Sequence, residues 1–173
     1  MDDITVEDDV CFEGKTYMDK VEKMKKFFPE YFNLFTMPEG AREEQITVYR
    51  ACKSWNCDKE SFTPTYEERG MKYLPGDDPT DPGLYSLSSF EKPRDVKWFA
   101  MTDENHPKPH KIAIGTTEPE CGLVQRTRER KGKSAKSHVD WWLYEGAEPY
   151  KHFSIIDDFD EYYENYKQAK EVK

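Results

Sequence analysis

Three kinds of polar side chain that could act together on a sugar occur at separate points of the chain. They are Arg50, the serines Ser86 and Ser88, and Asp140. A guanidinium can bind a diphosphate or a ribose hydroxyl, a hydroxyl can position a carboxylate, and a carboxylate can stabilise an oxocarbenium-like cation. This combination suits a site that cleaves an N-glycosidic bond. Taken singly, the same residues are more simply interpreted as a surface arginine, two turn serines and an exposed aspartate.

The elements that must position these residues are predicted from hydrophobic periodicity. Residues 46–51 alternate and are rich in β-branched and aromatic side chains, which predicts a strand carrying Arg50. A short strand or a tight turn is predicted at 83–88, and further strands are predicted at 111–116, 139–144 and 152–156. Helices are predicted at 92–101 and, inside the loop of residues 56–83 that is rich in proline and glycine, at 65–69.

The length of 173 residues favours one domain over residues 1–173. We expect a loose acidic arm at 1–14, a helical region at 15–40 that Pro29 breaks or kinks, an α+β core at 46–156 and an acidic tail helix at 157–173. The predicted fold class is α+β, with two packed and mostly antiparallel sheets, an N-terminal helical region and a C-terminal helix.

The composition combines a very polar surface with an aromatic core. The net charge is −9, which argues against a general binder of nucleic acid or anionic membranes. Mean hydropathy is only −1.00, but ten Phe, eleven Tyr and four Trp can each bury a large area. The sequence has no run of 18 apolar residues and no signal-peptide pattern. We therefore predict a cytoplasmic protein without a membrane partner.

A basic loop at residues 126–136 departs from the acidic average. It contributes four candidate partner-binding cations, with a tryptophan close by: Arg126, Arg128, Arg130, Lys131 and Trp141. Cations beside an indole ring could hold a nucleic-acid backbone with a base stacked on the ring. The alternatives are a solvated loop, or a loop that folds against the acidic arm of the same chain. Nucleic acid binding is expected only through this loop.

The cysteines predict reduced thiols rather than disulfides or a metal site. Cys11, Cys52, Cys57 and Cys121, with the four histidines, form none of the paired spacings of zinc motifs. Cys121 follows Glu118-Pro119-Glu120, and two carboxylates raise the pKa of a nearby thiol, which makes a poor nucleophile. No metal is expected.

The order of these motifs resembles the Arg-Ser-Glu type of ADP-ribosyltransferase. In that family a first strand carries Arg, a second carries Ser-Thr-Ser before a helix ending in Phe-Ala, and a late strand carries Glu-x-Glu or Gln-x-Glu. The matching positions lie between about residues 46 and 156 and are Arg50, Ser86-Leu87-Ser88, Phe99-Ala100 and His138-Val139-Asp140.

The resemblance implies NAD as substrate, bound in a cleft between two sheets. Arg50 would lie near the phosphates and the adenosine-side ribose, and Ser88 would hold the acid. Asp140 would bond the nicotinamide ribose, while Tyr85 or Phe90 could stack on the nicotinamide. Aromatic residues in such positions are more often core residues than cofactor contacts.

The late strand departs from the family pattern. Asp140 stands where the family has Glu, and His138 stands where it has Gln or Glu. The shorter side chain makes Glu145, five residues later, a substitute candidate for the acid.

Three functions follow from these observations. The first is an NAD-dependent mono-ADP-ribosyltransferase, or a related NAD-consuming enzyme, acting on an intracellular macromolecule. The second is a non-catalytic acidic binding protein or inhibitor that mimics nucleic acid and occupies a basic groove on a partner protein. The third is a degenerate transferase fold that keeps only ligand binding, as the aspartate at position 140 would suit.

Overall fold

A computed structural model describes residues 27–101 and 109–171 of the protein. Within these ranges the chain has an α+β fold built on one six-stranded antiparallel sheet, with strand order β4-β5-β2-β1-β3-β6. The strands are β1 (Thr47–Cys52), β2 (Leu87–Phe90), β3 (Lys111–Thr116), β4 (Gly122–Arg126), β5 (His138–Leu143) and β6 (Phe153–Ile155).

Four α-helices accompany the sheet in the described ranges. They are α1 (Thr65–Glu68), α2 (Pro93–Phe99), α3 (Arg128–Lys131) and α4 (Phe159–Glu171). Helix α2 begins with proline, which suits the first helical turn because that turn needs no backbone donor. The first turn of helix α4 contains Asp160 and Glu161, whose negative charges are favourable at a helix N-terminus. The predicted C-terminal helix is confirmed.

The two faces of the sheet bury separate clusters. Alternation along β1 sends Val48 and Cys52 into a cluster with Trp141, while Tyr49 and Ala51 pack on the opposite face below α2. Helix α4 covers that opposite face, where the Tyr49 and Tyr162 hydroxyls lie 2.6 Å apart. The aromatic residues thus supply much of the core, as the composition indicates.

The expectation of two sheets was wrong, because all six strands join one sheet. Strand β4 was not predicted, because its residues precede and overlap the basic loop and show no clear alternation. It pairs with β5 along its whole length, from Gly122 opposite Leu143 to Arg126 opposite Val139.

The N-terminal helical region is described only from residue 27 onward. There the chain forms only a short 3-10 helix at Glu30–Leu34 directly after Pro29, and the predicted helical region does not extend over 35–40. The predicted acidic arm at 1–14 and the first part of the helical region lie outside the described residues.

The longest helix of the described ranges, α4, has 13 residues. No helix in these ranges combines the length and the apolar character that crossing a bilayer would require.

Candidate functional site

Arg50 lies at the centre of the sheet and joins three segments of the chain. Its side chain is buried; Nε donates to the Ser61 carbonyl at 2.8 Å and Nη1 donates to the Ser88 carbonyl at 2.5 Å. The guanidinium also lies 5.5 Å from the centre of the Phe62 ring. Burial lowers the pKa of Arg50 to about 10, so it stays charged at neutral pH. Arg50 is therefore first of all a structural link.

The Arg50 contacts fall where two central strands separate. One residue pair, Tyr49 opposite Phe90, joins β1 to β2 in the described sheet, whereas β2 pairs with β5 through all four of its residues. Beyond this pair, Arg50 bridges from β1 to the main chain of β2 with its side chain. Arg50 and Ser86 stay buried at this opening, whereas Ser88 is half-buried.

A groove lies at this opening. Its outer part has a volume of about 840 Å³, and an inner recess of about 30 Å³ reaches Arg50 and Ser86. Lining residues that carry chemistry include Lys53, Glu68, Arg69, Ser88 and Phe99. The outer volume lies within the range of small-molecule sites.

The groove offers two cations and an exposed ring. Lys53 Nζ pairs with a Glu68 oxygen at 2.9 Å, and Arg69 Nη1 pairs with Asp77 at the same distance. The Phe99 side chain is 51% exposed, which suits a stacking surface for a planar ligand. Sequence reasoning did not propose Lys53 or Phe99 as site residues, although Phe99 belongs to the Phe99-Ala100 pair of the resemblance.

Asp140 is the most completely buried acid of the site, at 1% exposure. Its Oδ1 accepts from Ser86 Oγ at 2.6 Å, and its Oδ2 accepts from Thr127 Oγ1 at 2.7 Å and Arg130 Nη2 at 2.9 Å. Burial alone would raise the pKa of Asp140, but His138, these hydrogen bonds and Arg130 outweigh it and lower the pKa. The carboxylate is ionised and fully partnered.

The serine that holds this acid is not the one the resemblance implied. Ser86, not Ser88, donates to Asp140, and Ser88 stands opposite Asp140 in the strand ladder while lining the groove. The prediction that Ser88 holds the acid was wrong, because the hydroxyl of Ser86, one residue before β2, already occupies Asp140 Oδ1.

His138 belongs to the same buried network. Its Nδ1 lies 2.5 Å from Thr127 Oγ1 and 4.0 Å from an Asp140 oxygen, and its ring meets Phe90 edge-to-face at 5.2 Å. Burial lowers the pKa of His138 below its usual value, so the ring is neutral at pH 7. Thr127 was missed by sequence reasoning, since it follows the strand that was not predicted.

The other predicted catalytic and cofactor-binding residues lie elsewhere. Tyr85 is fully buried, stacks on Phe35 at 4.8 Å and donates to the Pro79 carbonyl, so it is a core residue. Phe90 is half-buried and packs against Phe99 and His138. Glu145 follows the end of β5 and lines a different pocket, so it does not replace Asp140.

Most of the predicted partner-binding cations of the basic loop form ion pairs with acidic residues of the same chain. Arg126 pairs with Glu44 at 2.8 Å and with Glu91 at 3.1 Å. Arg130 pairs with Asp140 at 2.9 Å, and Lys131 pairs with Asp81 at 3.4 Å, while Arg128 is exposed.

Trp141 is fully buried in the sheet core, so the expectation that it could stack on a base was wrong. Alternation along β5 explains the error, because Trp141 and Val139 share the apolar face of the sheet. The alternative contact between the basic loop and the acidic arm falls on residues outside the described ranges.

Comparison with known proteins adds no relative. The chain matches no protein-family model, no curated protein and no solved structure. The site is therefore assigned from its geometry, and the resemblance to ADP-ribosyltransferases stays a hypothesis.

Proposed function

We propose that the groove between β1 and β2 binds NAD and that the protein is an NAD-dependent mono-ADP-ribosyltransferase or a related NAD-consuming enzyme. The observation that carries the proposal is the separation of these two strands around Arg50, which leaves Ser88 beside a groove of about 840 Å³ and Ser86 beside its inner recess of about 30 Å³. A dinucleotide needs an elongated site of this size with cations, hydroxyls and an aromatic surface.

The groove residues match the parts of NAD by chemistry. Lys53 and Arg69 suit the diphosphate, the Ser88 hydroxyl suits a ribose or carboxamide hydrogen bond, and the exposed Phe99 ring suits stacking on a base. Glu68 already pairs with Lys53. Phosphate binding would therefore replace this exposed ion pair, which contributes at most about 1 kcal/mol.

The proposed reaction breaks the bond between the nicotinamide nitrogen and C1 of the adjoining ribose. The bonding electron pair leaves with nicotinamide, and a nucleophile of a macromolecular acceptor, or water, forms the new bond to C1 and loses a proton. Asp140 would stabilise the cationic ribose in the transition state. Ser86 connects Asp140 to the inner recess of the groove, because Ser86 lines the recess and its hydroxyl donates a hydrogen bond to Asp140.

A second candidate function is ligand binding without turnover. It is favoured by the state of Asp140, whose two oxygens are both filled by Ser86, Thr127 and Arg130 and which is 1% exposed. Contact with the ribose would require Arg130, the most exposed of these three partners, to leave the carboxylate.

The proposed compartment is the cytoplasm. Among the described residues Cys52, Cys57 and Cys121 are free thiols, and Cys52 and Cys57 lie close enough to influence each other's ionisation. Neighbouring thiols that stay reduced suit a reducing compartment.

The proposal is tested by titrating the purified chain with NAD in a calorimeter and by measuring free nicotinamide after incubation with a cell lysate. We expect binding in the micromolar to millimolar range, weakened about tenfold by Phe99→Ala through loss of one stacking contact. The matched control is Trp98→Ala, which removes a more exposed neighbouring ring that does not line the groove. Nicotinamide release should fall in Ser86→Ala.

Each result decides between the candidates. Binding with nicotinamide release supports the enzyme, and binding without release overturns catalysis in favour of the second candidate. An absence of NAD binding at millimolar concentration overturns both. Salt-sensitive binding to a basic protein would then favour the acidic inhibitor.

A further inference from the structure

We propose that Glu120, Cys121 and His152 form a binding site for a zinc-class divalent cation. Their potential ligand atoms, a carboxylate oxygen, the thiol sulfur and an imidazole nitrogen, all lie within 4.8 Å of one another. None of these residues lines the groove between β1 and β2, so the proposal is independent of NAD binding.

Main-chain contacts of the sheet hold two of the ligands in place. Cys121 ends the 3-10 helix Pro119–Cys121, and its carbonyl accepts from the Tyr144 amide at 2.8 Å, which ties it to the end of β5. His152 ends the 3-10 helix Pro149–His152 directly before β6. Its carbonyl lies so close to Gly115 of β3 that a β-carbon there would overlap it. The two ligands therefore approach from separate, anchored segments.

The spacing fits tetrahedral coordination. Zinc bonds to nitrogen and oxygen are about 2.0–2.2 Å long, which puts two such ligands of a tetrahedron about 3.5 Å apart. His152 Nε2 and Glu120 Oε1 are 3.5 Å apart. Cys121 sulfur lies within 4.8 Å of both, so tetrahedral coordination requires it to approach them by at most about 1.2 Å.

The donor set and its surroundings favour zinc over a hard cation. Thiolate and imidazole are ligands for zinc and related transition metals, whereas calcium and magnesium take oxygen ligands. A pocket of about 260 Å³ adjoins the three residues and is also lined by Glu145, Glu148 and Lys151. Three protein ligands beside an open pocket leave the fourth position for water.

Binding has a simple proton balance. The Cys121 thiol gives its proton to solvent as sulfur bonds the cation, and neither sulfur nor metal changes oxidation state. Sequence reasoning missed the site because two ligands are adjacent and the third lies 31 residues beyond Cys121, which is no zinc-motif spacing.

The test uses the full reduced chain and titrates it with Co²⁺, followed by competition with Zn²⁺. We expect one Co²⁺ per chain, a thiolate-to-cobalt charge-transfer band in the near ultraviolet, and loss of that band when Zn²⁺ is added. Cys121→Ser should abolish the band, while Cys57→Ser, which alters a thiol outside the cluster, should keep it.

Because Cys121 is buried, Cys121→Ser could lose Co²⁺ binding by misfolding. Variants of exposed residues test the site without this ambiguity. Glu120 and Glu148 are both exposed and line the same pocket, but only Glu120 belongs to the cluster. Glu120→Gln should weaken Co²⁺ binding by about tenfold or more, since even groups outside the ligand shell have effects of that size, and Glu148→Gln should not. A band that survives in Cys121→Ser, or equal binding by Glu120→Gln and Glu148→Gln, would overturn the site.

Discussion

At the scale of single residues, two serines of one short segment have different surroundings. Ser86 is buried and donates at 2.6 Å to the ionised Asp140, whereas Ser88 is half-buried and lines the groove. A hydrogen bond to a buried charged group contributes more to stability than one at the surface. If the bond is removed, the buried group has no water molecule to replace its lost partner.

The serine pair gives a prediction with a built-in control. Ser86→Ala should lower the free energy of unfolding by about 2 kcal/mol, the value for a hydrogen bond to a charged group. Ser88→Ala should change it by less than about 0.5 kcal/mol. Urea denaturation of both variants measures the difference, and equal effects would contradict the network drawn around Asp140.

At the scale of elements, the pairing of β4 with β5 requires a glycine, which has no side chain, at the first position of β4. Gly122, the first residue of β4, stands opposite Leu143. A β-carbon at Gly122 would overlap the Trp142 main-chain oxygen and come within 2.9 Å of the Leu143 α-carbon. Because both obstacles are backbone atoms of β5, the two strands could not keep this spacing with a larger residue.

Gly122→Ala is therefore expected to destabilise the protein by about 1–3 kcal/mol, the cost of overpacking a core. The control is Gly83→Ala, where the nearest atom is a flexible Asp81 side-chain oxygen at 3.3 Å. The midpoint temperatures of thermal unfolding of the two variants and the parent chain measure the difference. A midpoint for Gly122→Ala equal to that of the parent chain would show that β4 does not approach β5 so closely.

At the scale of the whole molecule, the stability of the fold should depend on pH through its buried titratable groups. Burial raises the pKa of both Asp140 and Asp95, but it is outweighed, for Asp140 by His138 and the hydrogen bonds from Ser86 and Thr127 and for Asp95 by the hydrogen bonds from Ser137, so both pKa values are lowered. The pKa of His138 is lowered mainly by burial. In each case the unfolded chain binds protons at a higher pH than the folded chain does, so acid favours unfolding.

The free energy of unfolding should consequently decrease as the pH falls. The His138 contribution begins below about pH 6.5, the usual histidine pKa, and the carboxylate contributions follow below about pH 4. Urea denaturation across this range measures the trend, and His138→Gln should remove the upper part of it. A free energy that stays constant between pH 7 and about pH 3 would contradict the prediction.

The sequence by itself determined the strands that alternate strongly, the short helices after proline and the aromatic core. Arg50 and Asp140 were selected from their strand context, and the structure places them on β1 and β5, on either side of β2. Alternation sends their side chains to opposite faces of the sheet. Ser86, one residue before β2, donates to Asp140, whereas Arg50 donates to the Ser88 carbonyl. The features that the sequence determined are local, because periodicity and capping depend on neighbours in the chain.

Only the tertiary structure decided the joining of all strands into one sheet and the choice of Ser86 over Ser88. It also decided the burial of Trp141 and the meeting of Glu120 and Cys121 with His152. Each of these depends on strand register and on which face of the sheet a residue occupies. Register is set by packing between distant segments, and a shift of one residue would reverse every face.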